Sequence, residues 1–165
     1  FSKLHFEKED VAKRIIHIIN KWEIPHNLIE IEFTETAYTD KEDKLRKTLD
    51  LLKKDDISSS IDDFGSGYSS LSLLQNLDFD IIKLDKSLID TLISKEKSMK
   101  VVRNIVRMAK DLNMSVLAEG VESKNEYDIL SDLDCDMIQG YLFDKPLPVE
   151  DFVGRLQNRK YENDV

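Results

Sequence analysis

Apolar residues along the chain alternate between the spacing of a helix face and the spacing of a strand. Val11, Ile15, Ile18 and Trp22 recur at helical intervals, whereas residues 28–33 (LIEIEF) alternate between apolar and polar. The pattern predicts strands at residues 28–33, 57–62, 80–84, 115–118 and 137–143, with a helix before the first strand and after each strand. Such alternation is typical of parallel strands joined by helical crossovers.

Each predicted strand has one apolar face and one face that ends in a polar residue. In the first strand Ile31 and Phe33 share a face opposite Glu30 and Glu32. The polar residues nearest the carboxyl ends of the five strands are Glu32, Asp62, Lys83, Glu119 and Gln139. Parallel α/β folds bind ligands at the carboxyl ends of their strands, so these side chains are predicted to converge on one site.

Three of these residues are carboxylates, and Asp63 would add a fourth. Crowded carboxylates raise one another's pKa and oppose folding unless a cation balances them. Oxygen ligands favour Mg²⁺, Mn²⁺ or Ca²⁺ over Zn²⁺, so the pattern indicates a site for a hard divalent cation. The alternative is that these are ordinary surface acids, since the chain has 33 acidic residues.

Composition narrows the class of protein further. The 165 residues are enough for one domain with a real core. A net charge of −9 excludes sequence-independent DNA or RNA binding, because an acidic surface repels phosphate backbones. No apolar run is long enough to span a bilayer. The single cysteine, Cys135, suits a reducing cytosol and favours a cytoplasmic location.

Five segments, in order and at matching spacing, resemble the strand-end motifs of EAL domains. They are EFTE at 32–35, DDFGSGYSSL at 62–71, IKLD at 82–85, AEGVE at 118–122 and QGYLFDKPLP at 139–148. The resemblance implies a (βα)₈ barrel of the TIM type that hydrolyses cyclic di-GMP to pGpG with Mg²⁺ or Mn²⁺, at a site for two metals. It extends from residue 1 to about residue 152, and residues 155–165 are predicted to be a tail.

The resemblance also implies roles for individual residues. Glu32, Asp62 and Glu119 resemble metal ligands, and Asp63 resembles the ligand that joins the second metal. Lys83 resembles the lysine that contacts the catalytic water. The remaining three matches are Gln139 beside the metal ligands, Glu35 as the anchor of the loop at residues 64–71, and Glu122 on the substrate side or behind the ligands.

The chain departs from the family at its beginning. The Glu-Ala-Leu motif itself is absent, and a ligand asparagine is expected immediately before Phe1. The prediction is therefore an incomplete barrel without its N-terminal strands, the C-terminal part of one domain over residues 1–165. Unpaired barrel edges, or the loop at residues 64–71, are expected to make it a homodimer.

Two functions stay open at this point. The full-length protein is expected to be a phosphodiesterase, whereas this chain alone is expected to be inactive because two metal ligands lie upstream. The alternative is a catalytically inactive receptor for cyclic di-GMP or a signalling scaffold. An upstream sensory or diguanylate cyclase domain, or an upstream membrane tether, is compatible with either function.

Overall fold

Five parallel strands and seven α-helices make up the described part of the chain. A computed structural model describes residues 11–34, 42–66 and 70–158. The strands are β1 (Glu30–Thr34), β2 (Ser58–Phe64), β3 (Ile81–Leu84), β4 (Ser115–Ala118) and β5 (Met137–Ile138). The helices are α1 (Val11–Lys21), α2 (Glu42–Lys54), α3 (Ser70–Asn76), α4 (Lys86–Ile89), α5 (Glu96–Asp111), α6 (Lys124–Asp132) and α7 (Val149–Asn158).

The strands pair in chain order, β1-β2-β3-β4-β5, and every pair is parallel. At least one helix follows each strand, so each pair of neighbouring strands is joined by a helical crossover. This is the strand arrangement of part of a (βα)₈ barrel, and the predicted α/β fold class is confirmed. No helix in the described ranges combines the length and the apolar character needed to cross a membrane.

The register confirms the predicted division of each strand into two faces. Glu32 is in register with Ser60, and Ser60 with Ile81, so these residues share one face. The opposite face carries Phe33, Ile61, Ile82 and Leu84 on the first three strands, and each of these four is fully buried. Helices α2, α5 and α6 cover that face with buried Leu45, Leu52, Val102, Val106 and Leu130. Burial of each such side chain contributes about 1.5–3 kcal/mol, which holds the helices on the sheet.

The prediction of a strand through residues 137–143 is wrong beyond Ile138. The ladder ends because the chain turns: the N–H of Phe143 donates to the carbonyl of Gly140 at 3.2 Å. The N–H of Leu142 then donates back to the carbonyl of Val121 at 3.0 Å. Gly140 permits this turn, since a Cβ at that position would lie 2.0 Å from the Val121 oxygen. Gln139 consequently lies in the turn and not on the strand.

Aspartates fix the amino-terminal end of the sheet. The carboxylate of Asp80 accepts hydrogen bonds from the N–H of Ser59 at 2.8 Å and its hydroxyl at 2.9 Å. Asp136 does the same one crossover later, accepting from the N–H of Val116 at 2.7 Å and pairing with Lys110. Each aspartate lies just before one strand and satisfies a backbone donor of a neighbouring strand. Together they set the register at this end.

Two further boundaries differ from the sequence pattern. The short helix α4 was not predicted, and it begins because the Asp85 carboxylate accepts from the N–H of Ser87 at 3.0 Å and caps it. Helix α7 continues to Asn158, so its last residues occupy part of the predicted tail. The remainder of that tail lies outside the described residues.

Candidate active site

The carboxyl ends of β1, β2, β3 and β4 meet around one buried lysine. The Nζ of Lys83 contacts a carboxylate oxygen of Glu32, and it lies 3.2 Å from Asp62 and 2.8 Å from Glu119. Its side chain is only 5% exposed, whereas that of Glu32 is 49% exposed. The three acids come from three different strand ends, so the parallel sheet alone brings them together.

A bulge in β2 places a second aspartate at the same edge. Ile61 pairs with Ile82 and Phe64 pairs with Leu84, so β2 has one residue more than β3 between these pairs. Asp62 and Asp63 both lie opposite Lys83 as a result. Asp63 adopts a left-handed backbone with φ 57°, a conformation that aspartate tolerates better than most residues. The bulge lets consecutive residues contribute carboxylates to one site.

The arrangement fits a hard divalent cation. Among the described residues, Asp62, Asp63 and Glu119 each offer a carboxylate oxygen, and these oxygens lie within 4.8 Å of one another. An all-oxygen set of this kind matches the ligand preference of Mg²⁺ and Mn²⁺. Glu32 is absent from this tight group and joins it through Lys83. Three of the four predicted metal ligands are therefore grouped directly, and the fourth indirectly.

The charges at this edge are incompletely balanced. Burial raises the pKa of Glu119, and the hydrogen bond from Lys83 opposes that rise without reversing it. Partial burial, together with the negative charges of Asp62 and Asp85, also raises the pKa of Asp63. One lysine thus compensates an excess of carboxylates, and an added cation would relieve the rest.

Lys83 itself is held as a cation. Burial acts to lower its pKa, but hydrogen bonds to Glu119, Glu32 and Asp62 outweigh that effect and raise the pKa above its ordinary value of 10.5. At neutral pH the ammonium therefore donates and does not accept a proton. The surrounding acids fix the direction in which it donates.

Three predicted site residues lie apart from this cluster. Glu122 contacts Lys86 at 3.0 Å, and its backbone N–H donates to Glu126 at 2.9 Å. Gln139 is exposed in the turn after β5, where its carbonyl accepts from the N–H of Val121 at 3.1 Å. Glu35 lies outside the described residues, as do residues 67–69 of the predicted loop.

Sequence reasoning missed two features of this site. The bulge was not predicted, although two adjacent aspartates before Phe64 and Gly65 are a signal for irregular backbone at a strand end. Lys86 was not singled out either. It comes three residues after Lys83 and contacts the segment that carries Glu119 and Glu122. A basic residue so close behind a buried lysine is the only signal that the sequence offered.

Comparison with known proteins identifies one family. A family model described as EAL domain matches residues 1–146. The Pseudomonas aeruginosa protein described as cyclic di-GMP phosphodiesterase NbdA is 34% identical over 142 residues, which make up 86% of this chain and 18% of NbdA. The chain spans about a fifth of the length of the curated relatives that it matches.

Solved structures show the same architecture. The crystal structure of the EAL domain of DcpA from Mycobacterium smegmatis matches with a TM-score of 0.91 at 28% identity, covering 97% of this chain and 72% of that chain. BlrP1 from Klebsiella pneumoniae, in a complex with manganese and cyclic di-GMP, matches with a TM-score of 0.78 at 33% identity. That match covers 86% of this chain and 36% of the BlrP1 chain.

Proposed function

The chain belongs to the EAL domain family, and on that premise we propose that it is part of a phosphodiesterase that hydrolyses cyclic di-GMP to pGpG. The observation that carries the proposal is the group of Asp62, Asp63 and Glu119 around Lys83 at the carboxyl end of the sheet. The names of NbdA and of the BlrP1 complex support the same substrate. Activity is assigned to the complete domain, and this chain alone is expected to be inactive.

The residues of the site divide into those that hold metal and those that do not. Asp62, Asp63 and Glu119 would hold Mg²⁺ or Mn²⁺, with Glu32 completing the set and Asp63 turned toward a second ion. When bound, the ions supply Lewis-acid activation of water and of the phosphodiester. The manganese in the BlrP1 complex supports this assignment.

Lys83 contributes electrostatics and orientation. Because its pKa lies above 10.5, the ammonium keeps its proton and presents a fixed positive charge beside the carboxylates. A buried positive charge stabilises negative charge that develops on a reacting phosphate more strongly than an exposed one would. We therefore assign Lys83 to hydrogen bonding with the attacking water or with phosphate oxygens, and not to proton abstraction.

Three family roles stay proposals for residues at the margin of the cluster. Gln139 is proposed to support the metal ligands from the turn after β5. Glu122 is proposed to act behind the ligands, through its contact with Lys86. Glu35 is proposed as the anchor of the loop at residues 64–71.

Chromatographic turnover tests the proposed function. Cyclic di-GMP is incubated with Mg²⁺ or Mn²⁺ and with the full-length protein that contains this chain, and this chain alone is run beside it. We expect pGpG from the full-length protein and none after Asp62→Asn or Glu119→Gln, because each removes a charged ligand. Lys100→Met, which breaks an exposed ion pair with Glu96 on α5, is the control and should keep full turnover.

The same experiment identifies the alternative. A folded full-length protein that binds cyclic di-GMP and makes no pGpG with either metal would be a receptor or scaffold. Retained turnover in both ligand variants would show that the metal ligands are assigned wrongly.

Association between copies is a further part of the proposal. β1 and β5 are the first and last strands of the described sheet, so each pairs with a single neighbour in it. Phe152 and Leu156 of α7 expose apolar surface of 53% and 61%. Unpaired strand edges and exposed apolar side chains favour self-association. We propose a homodimer, which light scattering at high concentration tests; a monomer would contradict it. A cytosolic location is also proposed, supported by the single cysteine, which is free.

A further inference from the structure

The segment that carries Glu119 is fastened at several points. The N–H of Glu119 donates to the carbonyl of Leu84 at 3.1 Å, which continues the β3–β4 ladder by one residue. The N–H of Val121 donates to the carbonyl of Gln139 at 3.1 Å on the other side. Val121 is fully buried. Residues 119–122 therefore run as a strap between the end of β3 and the turn after β5.

The aliphatic stem of Lys86 lies directly against this strap. A Cβ at Gly120 would be 2.7 Å from the Cγ of Lys86 and 2.8 Å from its Cδ. Gly120 also has φ 69°, a conformation that glycine adopts without strain. The close approach and the backbone angle both require glycine here. The stem of Lys86 fills the space that a side chain at residue 120 would occupy.

The ammonium of Lys86 then fastens the strap to helix α4. It lies 3.3 Å from the carbonyl oxygen of Gly120, 3.0 Å from the carboxylate of Glu122 and 2.8 Å from the carboxylate of Asp90. Asp90 follows α4 directly, whereas Gly120 and Glu122 belong to the strap. One lysine thus joins two elements through a carbonyl and two carboxylates.

This arrangement differs from an ordinary surface ion pair. Pairs four residues apart on one helix, such as Lys100 with Glu96, join two turns of the same element and contribute little. Lys86 bridges separate elements, and the strap that it fastens begins at Glu119, whose carboxylate lies 2.8 Å from Lys83. Moving the strap would move a carboxylate of the site.

We propose that Lys86 is a positioning residue that holds the strap at residues 119–122 and thereby the carboxylate of Glu119. The inference rests on the proposed function in one respect, namely that Glu119 holds a divalent cation. It assigns Lys86 no contact with substrate or metal. Glu122 and Asp90 act with it, since they fix the ammonium over the Gly120 carbonyl.

The test compares Lys86→Met with Lys86→Arg, and Lys100→Met is the matched control. Methionine keeps an aliphatic stem over Gly120 and loses the charge, whereas arginine keeps both. Two quantities are measured on the purified chain: the dissociation constant for Mn²⁺ by calorimetry, and the hydrogen-exchange rates of the Glu119 and Val121 amides by mass spectrometry or NMR.

We expect Lys86→Met to weaken Mn²⁺ binding about fivefold, at the low end of the losses seen when supports of metal ligands are removed. The two amides should exchange several times faster than in the control, and Lys86→Arg should restore both quantities. In the full-length enzyme the loss should fall on kcat more than on KM. A Mn²⁺ affinity within twofold of Lys100→Met, or unchanged exchange at both amides, would overturn the proposal.

The two proposals fail in different ways. Absence of Mn²⁺ binding by the unmodified chain would count against the proposed function and its metal ligands. The exchange rates would still decide the role of Lys86, because they report on the strap whether or not metal binds. Unchanged exchange in Lys86→Met would then refute the positioning role by itself.

Discussion

Acidic side chains stand at both ends of the sheet, and their surroundings differ. At the amino-terminal end Asp80 and Asp136 accept hydrogen bonds from backbone N–H groups of neighbouring strands. At the carboxyl end Asp63 and Glu119 share space with other carboxylates around Lys83. The first pair closes the fold, while the second group is arranged for a positive charge that the protein does not fully supply.

The pKa directions express the same difference. Burial acts to raise the pKa of Asp136, but the hydrogen bonds from Lys110 and from the N–H of Val116 hold that pKa below its ordinary value of 3.8. Burial wins at Glu119, whose pKa is raised. A carboxylate with its own donors stabilises the folded chain, and a crowded one destabilises it until a cation arrives.

Lys83→Met should have the largest effect on this contrast. It leaves Glu32, Asp62 and Glu119 without their shared cation at a partly buried site. We expect the free energy of unfolding at pH 7 without metal to fall by about 2–4 kcal/mol, below the full cost of a buried charge because Glu32 is half exposed. Denaturant unfolding measures it, with Lys100→Met as the control. A loss equal to that of the control would show that the carboxylates do not depend on Lys83.

Asp136→Asn should give a medium effect at the other end. It weakens the charge-assisted bond from the N–H of Val116 and the pair with Lys110, at a cost of about 1 kcal/mol at pH 7. The pKa of Asp136 is lowered on folding, so its stabilisation is present above pH 3.8 and is lost as the pH falls through the folded value. Urea unfolding at pH 7 and pH 3 measures both. A difference between variant and wild type that stays constant over this range would contradict the assignment.

Glu119→Gln should have the smallest effect on folding, and its sign is opposite. The amide keeps the size of the side chain and removes one crowded charge, so metal-free stability at pH 7 should stay equal or rise by a few tenths of a kcal/mol. Thermal unfolding without and with Mn²⁺ measures this. Added Mn²⁺ should stabilise wild type and leave the variant nearly unchanged, because bound ligand shifts folding by mass action. A metal-free loss above about 1 kcal/mol would contradict the view that Glu119 is kept for a ligand.

The sequence predicted the faces of the sheet better than the ends of its elements. Alternation over 28–33 separates Phe33 from Glu32 because side chains of a strand point to opposite faces, whatever the tertiary contacts. The strand after Asp136 was predicted too long, since its end depends on a turn that Gly140 closes against Val121. Contacts of this kind join distant parts of the chain, so local spacing does not encode them.

The site was predicted to a similar depth. Parity and strand order place Glu32, Asp62, Lys83 and Glu119 at one edge, and the structure finds them in contact through Lys83. Parity fails at Asp63, because the bulge adds one residue and breaks the alternation there. It also gives no indication that Lys86 packs on Gly120, since their contact depends on how two loops meet.

Calorimetric titration of the chain with Mn²⁺ tests the central contrast most directly. Wild type, Asp62→Asn and Asp136→Asn are compared at one pH and ionic strength, after each is shown to be folded. We expect saturable binding by wild type and by Asp136→Asn with closely similar affinity, and binding weakened by at least about tenfold in Asp62→Asn. Equal Mn²⁺ affinity in all three proteins would contradict the account, because the carboxyl end of the sheet would then be no more a cation site than the amino end.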